Sequence, residues 1–201
     1  EQLSLQITSL LAKEFVSTGQ AGSVQEALGM DELNTTFNET LAIIKKLAIE
    51  SPFDNVDIIN VYKMAASFGF ARKEALDMTA ILVDASSALG LTGSETADIA
   101  KVFGQIKSVG KVLAGDLNQL AARGINVKTI LKDYGYTLEQ VQKGALSADQ
   151  VIQLVLNTLN KDFGGAAARA TNTLAGLAST FGSLREEVLR VTFTPLFEAL
   201  K

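Results

Sequence analysis

Few groups in this chain could do chemistry. The run Gly104-Gln-Ile-Lys-Ser-Val-Gly110-Lys111 sets two glycines ahead of a lysine, as in loops that cradle phosphates. Its spacer is one residue too long, and Val112 stands where a Mg²⁺-binding Ser or Thr is required. Helical spacing surrounds it, with no strand ahead, so nucleotide binding is not expected. Asp54, Asn55 and Asp57 cluster oxygens, but the glycine and distal glutamate of a calcium loop are missing, and helix capping is the expected role. Glu186-Glu187 is a carboxylate pair by composition only, because adjacent helix positions do not face each other. The chain holds no His and no Cys. Ser-His-Asp and Cys-His arrangements, disulfides and Cys/His metal sites therefore cannot form within it. No catalytic residue, cofactor or metal ligand is expected, and the chain does not read as an enzyme.

Two further sets of residues have plainer explanations. Asn34-Thr-Thr36 and Asn38-Glu-Thr40 match a glycosylation sequon but fall in an expected helix. Phe68, Phe70, Phe103 and Phe181 lie at or near helical stripes, which makes them core residues and not a stacking platform for bases.

The elements that carry these groups are helical. The 201 residues are 47% apolar, enough to bury a real core. Net charge is −4, from 18 basic and 22 acidic side chains. A mildly acidic chain without a basic run lacks the footprint of a phosphate-binding surface, so direct nucleic-acid binding is not expected. No uninterrupted apolar run approaches the ~20 residues of a membrane-spanning helix. The best candidate, 80–91, is broken by Asp84, Ser86, Ser87 and Gly90 and reads as a buried helix. The first residue is Glu1, which suggests a start inside a longer parent or after processing.

Apolar residues recur at helical spacing throughout. Leu3, Ile7, Leu10, Leu11 and Phe15 share one face, with a stop near Gly19. Ser23-x-x-Glu26 forms a capping box, in which a hydroxyl and a carboxylate satisfy unpaired backbone N–H groups. Leu33, Phe37, Leu41, Ile44 and Leu47 mark a helix that Ser51-Pro52 ends. Asp54 or Asn55 caps the next, whose stripe is Ile58, Val61, Tyr62, Ala65 and Phe68 before Gly69. Ala75, Leu76, Leu82, Val83 and Leu89 carry another, to Gly90. Thr92-x-x-Glu95 opens a helix through Ile99, Phe103 and Ile106 to Gly110. Short helices follow near Asp116–Arg123, Asn126–Tyr134 and Thr137–Lys143, with Gly124, Gly135 and Gly144 after their ends. Ser147-x-x-Gln150 opens a longer one through Val151, Leu154, Val155 and Leu159 to Phe163. Gly164-Gly165 then reads as a hinge.

Past the hinge the pattern changes. Ala167, Ala170, Leu174, Leu177, Phe181, Leu184, Val188 and Val191 are spaced alternately three and four apart. That is a heptad seam with a mean period of about 3.5 residues. Arg169, Arg185, Glu186, Glu187 and Arg190 lie between its members, and Thr194-Pro195 interrupts it. Six large apolar side chains, Leu174, Leu177, Phe181, Leu184, Val188 and Val191, represent on the order of 10 kcal/mol of burial. They form the candidate helix-association seam. Folding back on the domain and association with a partner or a second copy are both open. The resulting fold class is all-α: a compact multi-helix domain with a longer C-terminal heptad-patterned helix. The divisions are N-terminal helices at 1–50, a compact domain at 51–164 and the heptad helix at 165–201.

Residues 51–176 also carry a family resemblance. Its landmarks are Ser51-Pro52-Phe53, and Phe68-Gly69-Phe70 at the end of the next helix. Gln105-Ile106-Lys107 follows, then Gly115-Asp116-Leu117 running into Leu120-Ala-Ala-Arg123-Gly124-Ile125. The others are Val141-Gln142-Lys143-Gly144 with Leu146-Ser147 and Val151, then Phe163-Gly164-Gly165-Ala166 and Leu174-Ala175-Gly176. In this order and spacing they resemble the helical domain toward the N-terminal side of phage and prophage tail tape measure proteins. Asn126 departs from the family, which often has Pro after Gly-Ile; Asn can serve a turn or cap there.

The resemblance implies a structural, assembly role in a phage tail, where the protein occupies the forming tube and its length sets tail length. It implies tail tube subunits and tail assembly chaperones as partners, while the heptad seam, on its own spacing, suggests self-association through the C-terminal helix. It places the protein in the tube lumen of the virion, and in the host bacterial cytoplasm during assembly. Membrane contact is expected only through other parts of a parent protein. The rival readings are a generic helical protein–protein interaction module of a bacterial cell, or a non-catalytic part of a larger cell-wall-active tail protein.

Overall fold

The computed structural model describes residues 2–173, with side chains from Ser4 onward. Ten helices fill that range. They are α1 (Gln2–Ser17), α2 (Val24–Leu28), α3 (Asp31–Ile49), α4 (Asn55–Ser67), α5 (Arg72–Leu89) and α6 (Gly93–Val109). Three short helices follow, α7 (Ala114–Ala121), α8 (Val127–Asp133) and α9 (Leu138–Gln142), and then α10 (Ala148–Phe163). Helical backbone resumes over 166–173. Among the described residues there is no strand, and no helix is long and apolar enough to cross a membrane. The fold is all-α, as the spacing requires.

Local chemistry explains most boundaries. Six helices open on a side chain of their own N-cap: Ser23, Asp54, Thr92, Asn126, Thr137 and Ser147. Asp54, not Asn55, caps α4, its Oδ1 accepting from the Asp57 N–H at 2.9 Å. Thr92, Thr137 and Ser147 sit in full capping boxes. The box at Ser23 forms differently: Ser23 Oγ accepts from the Glu26 N–H, but the Glu26 carboxylate reaches Gly22 N–H at 2.9 Å instead of Ser23. The glycines expected as stops, from Gly19 to Gly144, all take left-handed φ values.

At α5, where the N-cap position has no useful side chain, tertiary structure supplies one. Ala71 precedes α5 and cannot cap it. Glu14 on α1 accepts from the Arg72 N–H at 2.9 Å in its place. The Arg72 guanidinium then turns to α3, donating to Thr40 Oγ1 at 3.2 Å and pairing with Glu39 at 3.1 Å. One residue thus ties α1, α3 and α5 together. Tyr62 is buried beside this group, and burial together with the charge of Glu14 pushes its phenol up to about 12.

The closest packing is between α4 and α6. Gly93, Ala97, Ala100 and Gly104 are all buried on one face of α6. A methyl group on Gly93 would fall 2.1 Å from Asp57 Cγ, and one on Gly104 would fall 2.2 Å from Phe68 Cγ. The first contact joins the starts of the helices and the second joins their ends, so α4 and α6 run parallel, with α5 returning the chain between them. α10 lies across α5 and α6. There Lys107 pairs with Asp149 at 3.2 Å, its ammonium 4.6 Å from the Phe70 ring centre.

One hydrophobic cluster runs from Ile7 to Ala167. Ser51-Pro52 ends a helix, with the Ser51 hydroxyl accepting from Phe53 N–H, but the core crosses that point. α1 packs on α2, α3 and α4, and α3 packs on α4 and α5. The apolar stripes bury largely as expected. Half-buried members are Leu10, Phe37, Leu41, Leu47, Phe68, Leu89, Leu154 and Phe163, while Thr40 on α3 and Ile152 and Leu156 on α10 are buried outside the expected stripes.

Candidate functional site at the C-terminal junction

The sequence nominates one functional surface, the heptad seam. Leu174, Leu177, Phe181, Leu184, Val188 and Val191 lie outside the described residues, as do Glu186, Glu187 and the Thr194-Pro195 interruption. The first two seam positions are described. Ala167 belongs to the core cluster and Ala170 is half-buried. The seam therefore starts against the domain's own surface, where small side chains admit close approach.

The joint that launches it is built from three hydrogen bonds and two buried alanines. α10 ends at Phe163. Gly164 is extended, and Gly165 takes φ +75°, a left-handed value that suits glycine. Gly165 stands where an N-cap side chain would normally satisfy the first N–H groups of the 166–173 helix, and it has none. Asp84, in the middle of α5, provides the missing carboxylate. Its Oδ2 accepts from the Gly165 N–H at 2.8 Å and its Oδ1 from the Ala167 N–H at 3.0 Å. Arg169 turns back so that its Nη1 donates to the Gly164 carbonyl at 3.0 Å. Ala166 and Ala167 are buried beneath the joint. The expected hinge at Gly164-Gly165 is thus braced by hydrogen bonds from outside its own segment. A glycine pair confers freedom on an isolated chain, but Asp84, 81 residues before Gly165, accepts from the N–H groups of Gly165 and Ala167.

The remaining nominated residues have structural roles. Gly104 is a contact point of α4 and α6, and Gly110 ends α6 with φ +71°. Asn34 and Asn38 are exposed on α3. Phe70 and Phe103 are buried and Phe68 is half-buried, while Phe181 lies outside the described residues. One hydroxyl–carboxylate hydrogen bond occurs among the described side chains, Thr92 Oγ1 to Glu95 at 2.8 Å, and it belongs to a helix cap. Together with the Thr92 N–H, it holds the Glu95 carboxyl below its ordinary range. An open groove of about 610 Å³ lies between α1, α4 and α6, with Leu5, Leu10, Met64 and Ala97 along its apolar side.

The landmarks of the family resemblance also have physical explanations. Asp116 is buried and accepts from Leu113 N–H at 2.9 Å, opening α7, whose Leu117 and Leu120 enter the core. Arg123 pairs with Asp98 on α6 at 2.7 Å and donates to the Gln119 carbonyl, fixing the end of α7. Asn126 caps α8 by accepting from the Thr129 N–H at 3.2 Å, so the departure from Pro keeps a helix start there. Val141 is buried, and Phe163-Gly164-Gly165-Ala166 is the braced elbow itself.

Comparison with known proteins gives a consistent result. The family model described as "Tape measure protein" matches residues 27–189. Probable tape measure proteins of Lactococcus phages p2 and SK1 are each 26% identical over 189 residues, covering 89% of this chain. The tape measure protein of Lactococcus phage F4-1 is 28% identical over 167 residues, covering 78% of this chain and 43% of that relative. The chain spans only 18% of the p2 and SK1 proteins. No solved structure matches it significantly. With more than half of its length matched to that family, the chain belongs to the tape measure proteins.

Proposed function

We propose that this chain is the folded, N-terminal-side portion of a phage tail tape measure protein and takes part in tail assembly and length determination. Its membership of the family over residues 27–189 carries the reading. The protein works inside the tail tube and is made in the host cytoplasm. Its partners are tube subunits and assembly chaperones. The chain supplies structure and no catalysis, and direct contact with DNA and membranes falls to other components.

The physics of a ruler separates this portion from the measuring part. A continuous helix rises about 1.5 Å per residue, so as one helix the chain would reach roughly 300 Å. Ten helices folded onto one core shorten it far below that. The domain is therefore a compact module, and the extended ruler begins after Gly165. A phage carrying a parent protein without residues 31–163 tests this by electron microscopy of its tails. The expected outcome is failed assembly or tails of normal length. Tails shortened by about 200 Å, in proportion to the residues removed, would show instead that the module measures.

The seam at Leu174, Leu177, Phe181, Leu184, Val188 and Val191 is the association surface in this scheme. Leu177→Asp with Phe181→Asp should reduce self-association in sedimentation, or lower thermal stability if the stripe docks on its own domain. An unchanged assembly state and melting temperature would remove the seam from the proposal.

A further inference from the structure

We infer that Asp84 is a latch that fixes the direction in which the 166–173 helix leaves the domain. The Gly164-Gly165 pair by itself permits many exit angles. Its left-handed Gly165 leaves the N–H groups of Gly165 and Ala167 without a local acceptor, and Asp84 accepts from both, at 2.8 and 3.0 Å. The carboxylate also opposes the positive end of the new helix dipole. Asp84 sits half-buried on α5, whose Leu82, Val83 and Ala85 are buried. It is therefore anchored to the core, and the elbow inherits the core's rigidity. The Arg169–Gly164 hydrogen bond closes the elbow from the helix side, but it spans only local residues and cannot set the angle to α5. With the latch closed, the domain and the helix that follows move as one body. With it open, the glycine pair is held only by the apolar seating of Ala166 and Ala167.

A device of this kind suits a molecule whose folded part must be aimed along its extension, and that use rests on the proposed function; the latch itself does not. The chain has no cysteine, so labels can be placed at chosen sites. Spin labels on Lys101→Cys in α6 and Asn172→Cys, both exposed in the native chain, report the elbow angle as a distance distribution. Asp84 intact should give one narrow distribution. Asp84→Ala should broaden it, and Asp84→Asn, which keeps one acceptor oxygen, should fall between. Amide exchange at Gly165 and Ala167 should accelerate between about 2-fold and 30-fold in Asp84→Ala, the range for loss of a helix cap. Exchange in the centre of α6 should not change. Unmodified chain provides a measurement independent of any variant: Gly165 and Ala167 must be protected from exchange. Unprotected amides there, or an Asp84→Ala variant that folds and keeps the narrow distribution, would overturn the latch. Tails shortened in proportion to a deletion of residues 31–163, while these readings hold, would count against the proposed function alone.

Discussion

The α4–α6 pair and the α7–α9 region solve the same problem with opposite means. α4 and α6 have 13 and 17 residues and meet along a stripe of glycine and alanine, where a single methyl group would collide with the neighbour. α7, α8 and α9 have 8, 7 and 5 residues, too few to be stable alone. They are held by terminal chemistry and a few anchors. Asp116, Asn126 and Thr137 satisfy their starts, while Leu120, Leu131 and Val141 reach the core. In the first region shape complementarity between helices dominates. In the second, backbone satisfaction at helix ends dominates.

Substitutions can break or sharpen that contrast. The largest effect is expected at Phe103, which is 1% exposed in α6. Phe103→Ala should cost about 3–5 kcal/mol in urea unfolding. Tyr134→Ala, at the 51% exposed end of α8, should stay within about 0.5 kcal/mol. Comparable losses would mean that the short helices share the long helices' packing.

Next come two glycines with opposite expected signs. Gly104→Ala inserts a methyl against Phe68 and should destabilise by about 1–3 kcal/mol. Gly115 lies in α7 with open space around it, so Gly115→Ala should stabilise by about 0.5 kcal/mol. Thermal melting of both variants decides the signs, and the same sign for both would erase the distinction.

A smaller and more local effect belongs to the caps. Thr137→Ala should cost about 1 kcal/mol. Its loss should appear as faster amide exchange across 138–142, with α6 unaffected. Thr92→Ala should disturb only the first turn of α6, because the rest of that helix is held by α4.

The smallest effect is the titration of Glu95. Hydrogen bonds from Thr92 hold its carboxyl below the ordinary range, so the folded state binds this proton more weakly than the unfolded one. The contribution is present above the unfolded pKa and is lost as pH falls through the folded pKa. An NMR titration should find Glu95 ionising at lower pH than in Thr92→Ala. Equal midpoints would remove the Thr92 hydroxyl as a cause and leave the backbone N–H, which the variant keeps.

Much of this fold is legible in residue order, for reasons that are local. Helix stripes appear because burial acts at a fixed turn of the helix. The caps at Thr92, Thr137 and Ser147 are legible because donor and acceptor lie three residues apart. Stops at Gly90 and Gly110 are legible because left-handed backbone favours glycine. The family landmarks Asp116 and Gly124 belong to the same class, encoding a helix start and a turn, and Asn126, which departs from the family, still encodes a helix start. Long-range capping is not legible, for the same reason. Gln2–Ser17 shows no sign that its Glu14 will cap α5, and α5 shows no sign that its Asp84 will cap a helix 81 residues later.

The sequence by itself therefore determined helices, their ends, the absence of His- and Cys-based chemistry, and the change of rhythm after Gly165. Tertiary structure decided which helices touch, which is why Gly93 and Gly104 are glycine, and whether Gly164-Gly165 is loose or braced. The physical reason is range. Periodicity and capping act within a turn or two of chain, whereas a carboxylate finds a distant N–H only after the core has placed both.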